Sequence, residues 1–374
     1  MEKARPVSLK EIRIRDNFWD KYRRLVREEI LKYQWCAMND QIEGAPKSHC
    51  IENFRIAAGE KQGEFYGAVF QDSDVAKWLE AVAYTLAEKP DKELKKLADS
   101  VIELIGRAQE PDGYFNTYFI LKEPGQRFRN LREGHELYTL GHMIEAAVAY
   151  KRATGEKRFL EIVQKMADLV ANTFGVEEGK RMGMPGHQEI ELALMKLYEE
   201  TGKESYKELA KYFIDVRGCG NRNYFLEEMK QKDVKRIFPE LNDYRPEYSQ
   251  SHLPVRKQRT AEGHAVRAVY MYAAMADIAA EYDDEELLGA CETLWNNMVH
   301  RRMYVTGGIG SSGILERFTA DYDLPNDYNY CESCASIGLA FFARRMMQIT
   351  KKAKYVEVME RALYNTVLAG IAMD

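Results

Sequence analysis

The sequence predicts an all-α fold in which helical hairpins, each an inner helix returned by an outer one, close into an (α/α) barrel. Three observations carry this. The helical period of apolar residues dominates from about residue 20 onward. Two kinds of helix alternate, one apolar along a single stripe and one apolar nearly all round. The alternation recurs as a weak internal repeat with long, unequal insertions, which suits a closed toroid better than a tightly periodic solenoid.

Residues 5 to 15 stand apart. Val7, Leu9, Ile12 and Ile14 are mixed with charges, and the alternation from Glu11 to Arg15 predicts a short strand. A lone strand is marginal and needs a partner sheet, which the rest of the chain does not offer. The expected division is an N-terminal strand segment, 1–18, and a helical barrel, 19–374. The first hairpin pairs Val75 to Ala87 with Leu94 to Ile105, turning at Lys89-Pro90-Asp91. In the next, Gly134-His135 opens a helix, Thr154-Gly155-Glu156 turns, and Phe159, Ile162, Val163, Met166, Leu169 and Val170 form one apolar stripe. Gly186-His187 opens another, with Thr201-Gly202-Lys203 as its turn and Tyr206 to Asp215 returning. Gly263-His264 opens the fourth. Its inner helix, Ala265 to Ala280, is apolar on every side except mainly at Arg267 and Asp277, and Leu287 to Val299 returns. Ser333-Cys334 opens the last, and Tyr355 to Leu368 returns. The glycine-containing turns supply C-caps. The inserted stretch from Val216 to Val255 is rich in Asn, Asp, Glu, Arg and Tyr, and loops of this kind gather at one mouth of such a barrel.

Composition narrows the function. Hydrophobic residues make up 45% and charged residues 30%, the balance of a globular protein. A net charge of -5 leaves no basic footprint for nucleic acid. The longest apolar run, Ala268 to Ala276, is too short to span a bilayer, and no N-terminal signal is visible, so the cytoplasm is the expected compartment. There the six cysteines are expected to be thiols, structural or metal-binding.

His135, His187 and His264 each follow a glycine at the start of an inner helix, where they could ring one cavity and bind a polar ligand. Helix capping is the plainer alternative. The densest signal runs from Tyr304 to Cys334. Its glycines, Gly307, Gly308, Gly310 and Gly313, allow close backbone approach but lack the context of a phosphate loop. Glu316 follows directly, and in a shielded pocket a glutamate can serve as general acid/base. Cys331, Glu332 and Cys334 place a carboxylate and thiols within one turn, a set that suits zinc or simply buried thiols.

These residues resemble glycoside hydrolase family 127, the retaining β-L-arabinofuranosidases. The likeness is carried by the run from Gly307 to Ser336, including Glu316 to Asp327 and Cys331-Glu332-Ser333-Cys334. It extends to Gly134-His135-Glu136-Leu137-Tyr138, Pro185-Gly186-His187, Ala261 to Arg267, and Glu360 to Asn365. The resemblance implies an (α/α)6 barrel, with the strand near residues 5 to 15 belonging to a β-sandwich mostly absent from this chain. It implies a carbohydrate substrate with terminal β-L-arabinofuranosyl residues and Glu316 as acid/base. His135, His187, His264 and Gln34 would contact the sugar, and Zn2+ would be held by Glu332, Cys334 and two further cysteines. One zinc-bound thiolate would be the nucleophile, and both further cysteines would lie beyond residue 374. It leaves room for a homodimer. Two other readings compete: a non-catalytic sugar-binding module, and an epimerase or lyase on the same toroid using histidines as acid and base.

Overall fold

The computed structural model describes residues 1–373. The chain divides into two compact units, one made of Pro6–Met182 with Lys196–Tyr206, the other of Met1–Arg5, Gly183–Met195 and the chain from Lys207 onward. Each is described by itself.

In the first unit the inner helices Asp72–Glu88 and Glu136–Thr154 pack directly on each other. Their outer partners are Lys92–Ala108 and Arg158–Thr173. The turn at Pro90 works as the sequence suggests. Asp91 caps the returning helix by accepting from the backbone N–H of Glu93 and Leu94, both at 3.0 Å. Gly155 ends its helix at φ 84°, a left-handed cap that costs a glycine little. The outer stripe of Phe159, Ile162, Val163, Met166 and Val170 is buried, each side chain contributing about 1.5–3 kcal/mol.

The expected strand near the N-terminus is not formed among the described residues, which hold no sheet for it to join. Leu9–Glu11 is a single 3-10 turn, and Ser8 and Ile12 are extended without entering a ladder among the described residues. Alternation sets only which way side chains point; a strand also needs a second edge to satisfy its backbone. Val7, Leu9, Ile12 and Ile14 are all exposed, so neither face of the segment is buried.

The second unit is built on Ala265–Glu281 and Ser333–Thr350, inner helices backed by Glu285–Arg301 and Ala353–Ala362. Every residue from Ala265 to Ala280 is buried, as the apolar pattern requires. The two polar interruptions have distinct partners. Asp277 is bound by Lys3 and Arg345. Burial pushes its carboxyl up, but the two cations outweigh burial and hold it below the ordinary value. The N-terminus is tied down beside it, Ala4 exchanging hydrogen bonds with Gln348 at 2.9 and 3.0 Å. Arg267, the other interruption, points to the candidate site.

Candidate active site

Glu316 is raised on a short turn. Ser312 and Arg317 exchange backbone hydrogen bonds at 3.2 and 3.1 Å and close a loop over the residues between them. Leu315 and Glu316 take left-handed φ values of 58° and 53°, a conformation costing a residue with a Cβ about 1–2 kcal/mol. The Phe318 N–H donates to Gly263 O at 2.9 Å, stitching this loop to the turn that carries His264.

The carboxylate has two polar neighbours. Its Oε2 lies 2.7 Å from His264 Nε2, and its Oε1 accepts from the Tyr330 hydroxyl at 2.7 Å. The side chain is 41% exposed, so solutes can reach it. The hydrogen bond from His264 holds its carboxyl down at about 2, with Tyr330 and the charges of His264 and Arg267 adding to this against partial burial. His264 itself is buried, and desolvation drives its imidazole down to about 4, against the pull of Glu316. At neutral pH the pair is therefore a neutral imidazole and a carboxylate. His264 Nδ1 accepts from the Arg267 backbone N–H at 3.5 Å, capping its own helix, which assigns the ring proton to Nε2 and aims it at Glu316. Capping and a functional position are thus not alternatives here.

His187 lies edge-on to His264, ring centroids 5.3 Å apart, with Nδ1 2.8 Å from Gln188 O. Tyr248 approaches His264 from another direction at 5.7 Å. Of the three histidines predicted from the repeat, the structure sets His264 against Glu316 and His187 against His264. His135 belongs to the other unit. It stands before Glu136–Thr154 at φ 53°, with Nδ1 2.6 Å from Glu133 O and its ring 5.3 Å from Phe70. Gln34 lies in the helix Leu31–Met38 of that unit, exposed.

Glu332 and Cys334 stand at the head of Ser333–Thr350, Glu332 as its N-cap residue and Cys334 exposed. Cys331 beside them is half-buried, and burial pushes its thiol up to about 11. A structural zinc takes four ligands. One carboxylate and one exposed thiol are half that set, and no group of three metal-binding side chains exists among the described residues. The described residues alone supply only half of a zinc site, and no step below is routed through the metal.

Three further residues shape this site, Tyr330, Arg217 and Arg267, and none was a sequence candidate for it. Arg267 carried a legible signal, a charge inside an otherwise apolar helix. Tyr330 lies inside the run from Tyr304 to Cys334 but has no feature of its own that singles it out, and Arg217 carried no signal.

Comparison with known proteins gives the family of the chain. The family model of the β-L-arabinofuranosidase GH127 catalytic domain matches residues 11–374. A non-reducing end β-L-arabinofuranosidase of Bifidobacterium longum subsp. longum is 45% identical over 379 residues, an alignment covering 97% of this chain and 57% of the relative. The crystal structure of a GH127 β-L-arabinofuranosidase from Geobacillus stearothermophilus T6 superposes with a TM-score of 0.94 at 57% identity, covering 97% of this chain and 57% of that one. A GH127 β-arabinofuranosidase follows, with a TM-score of 0.87 at 38% identity, over 98% of this chain and 55% of that one. The helical hairpins are those of a glycoside hydrolase catalytic domain. The chain belongs to the β-L-arabinofuranosidase family GH127, and it spans 57% of the length of the curated relative it matches.

Proposed function

We propose that this chain is the catalytic domain of a retaining glycosidase that releases terminal β-L-arabinofuranosyl residues, with Glu316 as acid/base. The observation that carries the reading is the Glu316 carboxylate, accessible and gripped by His264 Nε2 and the Tyr330 hydroxyl. In this state Glu316 is a base, suited to activating water in the second half of a double displacement. Acting first as an acid requires a proton. A sugar hydroxyl that takes over the His264 or Tyr330 donor removes the leading causes of the depression, and the carboxyl rises toward its ordinary value.

The test is hydrolysis of a chromogenic β-L-arabinofuranoside by this chain with added zinc, with Glu316→Gln as control. Turnover that the substitution abolishes supports the assignment. Turnover that survives it removes Glu316 from the chemistry. Tight sugar binding without turnover favours the reading as a non-catalytic module. The family resemblance places the thiolate nucleophile on a zinc that Glu332 and Cys334 would share with two further cysteines, so this arm also tests whether two donors suffice.

A further inference from the structure

Two buried arginines converge on one small piece of backbone beside the site. Arg267 donates from Nη1 to Gly186 O at 2.9 Å and to Ser249 Oγ at 3.1 Å. Arg217 donates from Nη2 to Pro185 O at 2.8 Å and from Nη1 to Ser249 O at 2.9 Å. The two guanidinium groups thus hold successive carbonyls of the turn that leads into His187. They also hold the backbone and the hydroxyl of a single serine. Gln188 adds a third tie, its Nε2 donating to Ser249 O at 3.2 Å and to Gln250 Oε1 at 2.9 Å.

The arginines differ in how their charge is met. Arg217 has a buried carboxylate, Glu191 Oε1 at 3.2 Å. Arg267 has no ion-pair partner among the described residues. Its guanidinium lies over the Tyr248 ring at 4.4 Å, and its Nε is buried without an acceptor. Its charge reaches the Glu316 carboxylate without a direct contact, and a buried cation that no carboxylate touches is costly. Arg267 also begins the first turn of the helix that His264 caps, and its backbone N–H is the donor to His264 Nδ1. One residue therefore touches both histidine-bearing segments, His264 through its backbone and the His187 turn through its side chain.

We propose that Arg267, backed by Arg217, is a positioning residue that holds His187 against His264, the partner of Glu316, and thereby sets the sugar-recognition geometry. The two buried guanidinium groups fix the angle and spacing of the imidazoles, and the charge of Arg267 favours the neutral imidazole and the carboxylate. The groups facing His264 are Glu316, Arg267, His187 and Tyr248, and of these Arg267 is the fixed cation. The consequence for sugar binding rests on reading the two histidines as sugar contacts; the positioning itself does not.

The experiment uses this chain with its seven histidines isotopically labelled. Ring-to-ring NOEs between His187 and His264 and the His264 titration midpoint are followed in the wild type, Arg267→Lys and Arg267→Met, with methyl β-L-arabinofuranoside binding measured in parallel. Arg267→Lys keeps the charge but loses the planar two-acceptor grip, so the NOE and sugar binding are expected to fall at least tenfold while the midpoint stays low. Arg267→Met is expected to lose both and also to raise the midpoint. A wild-type NOE and midpoint in a folded Arg267→Met overturn the proposal. If that variant does not fold, Arg267→Lys decides, and an unchanged NOE in it overturns the positioning role. Loss of the NOE with unchanged sugar binding keeps the positioning role but overturns its part in recognition. A wild-type chain that binds no sugar counts against the sugar-contact reading and with it the recognition half of the proposal, while the NOE arm still judges the positioning.

Discussion

A carboxylate held by an imidazole N–H on one oxygen and a phenol on the other is stabilised as an anion, and the two donors can be removed one at a time. In His264→Ala the leading cause of the depression disappears, and the Glu316 carboxyl is expected to climb from about 2 toward 4.5. Carboxyl carbon shifts followed by NMR across the acid range report this directly; a Glu316 that still titrates near 2 would assign the effect to Tyr330 and Arg267. The sign for stability follows. Glu316 has a depressed folded value, so its contribution is present above about 4.5 and is lost as pH falls toward 2. His264, also depressed, is stabilising as a neutral ring above 6.5, and that contribution is lost as pH falls from 6.5 toward about 4. Both dependences should vanish together in His264→Ala. At this scale the sequence marked Glu316, His187 and His264 through the glycines before them. It could not mark Tyr330, whose hydroxyl reaches back across a turn from fourteen residues away.

Helices here were legible where one periodicity decided burial, and misleading where pairing decided it. Ala265–Glu281 is buried as its all-round apolar pattern demands. The segment around Ile12 has the alternation of a strand and no edge to join. The closeness of the inner helices was not legible, because Gly338 reads as a helix-weakening residue until its surroundings are seen. A Cβ there would run into Val269 Cγ2 and stand 3.0 Å from Tyr270 carbons. Gly338→Ala is therefore expected to destabilise by about 1–3 kcal/mol despite alanine's better helix propensity, since overpacking outweighs it. Urea melts would check this, and a stabilised variant would show that the two helices can part. The inner helix Glu136–Thr154 carries a second test. Glu136 accepts from the Tyr114 hydroxyl at 2.6 Å and the Phe128 N–H at 2.8 Å, yet burial pushes its carboxyl up to about 8. A raised folded value means the unfolded chain ionises first, so this group costs stability progressively as pH rises from 4.5 to about 8. Glu136→Gln should flatten that slope in thermal melts, and an unchanged slope would place the titration elsewhere.

At the level of the whole chain, the question is whether the metal chemistry implied by the family resemblance can run on the donors described here. Glu332 and Cys334 lie two residues apart at one helix head, and no third His, Cys, Asp or Glu joins them among the described residues. Complete zinc sites in small peptides supply about 10–16 kcal/mol at neutral pH. Half of the ligand set supplies roughly half of that, which corresponds to a dissociation constant of about 1–200 µM. The chain is therefore expected to bind zinc weakly, to lose it to a mild chelator, and to gain little melting temperature from it. Cys334→Ser should abolish even that binding, and Cys331→Ser should leave it unchanged, because Cys331 is not one of the two donors assigned to the ion. Competition with a chromogenic chelator measures all three. Nanomolar affinity in the wild-type chain would mean that further donors come together on binding, and Cys331 would be the first to examine. Weak binding that follows Cys334 would make the 57% coverage of the relatives the next variable, to be tested by giving the chain the remaining length those relatives possess.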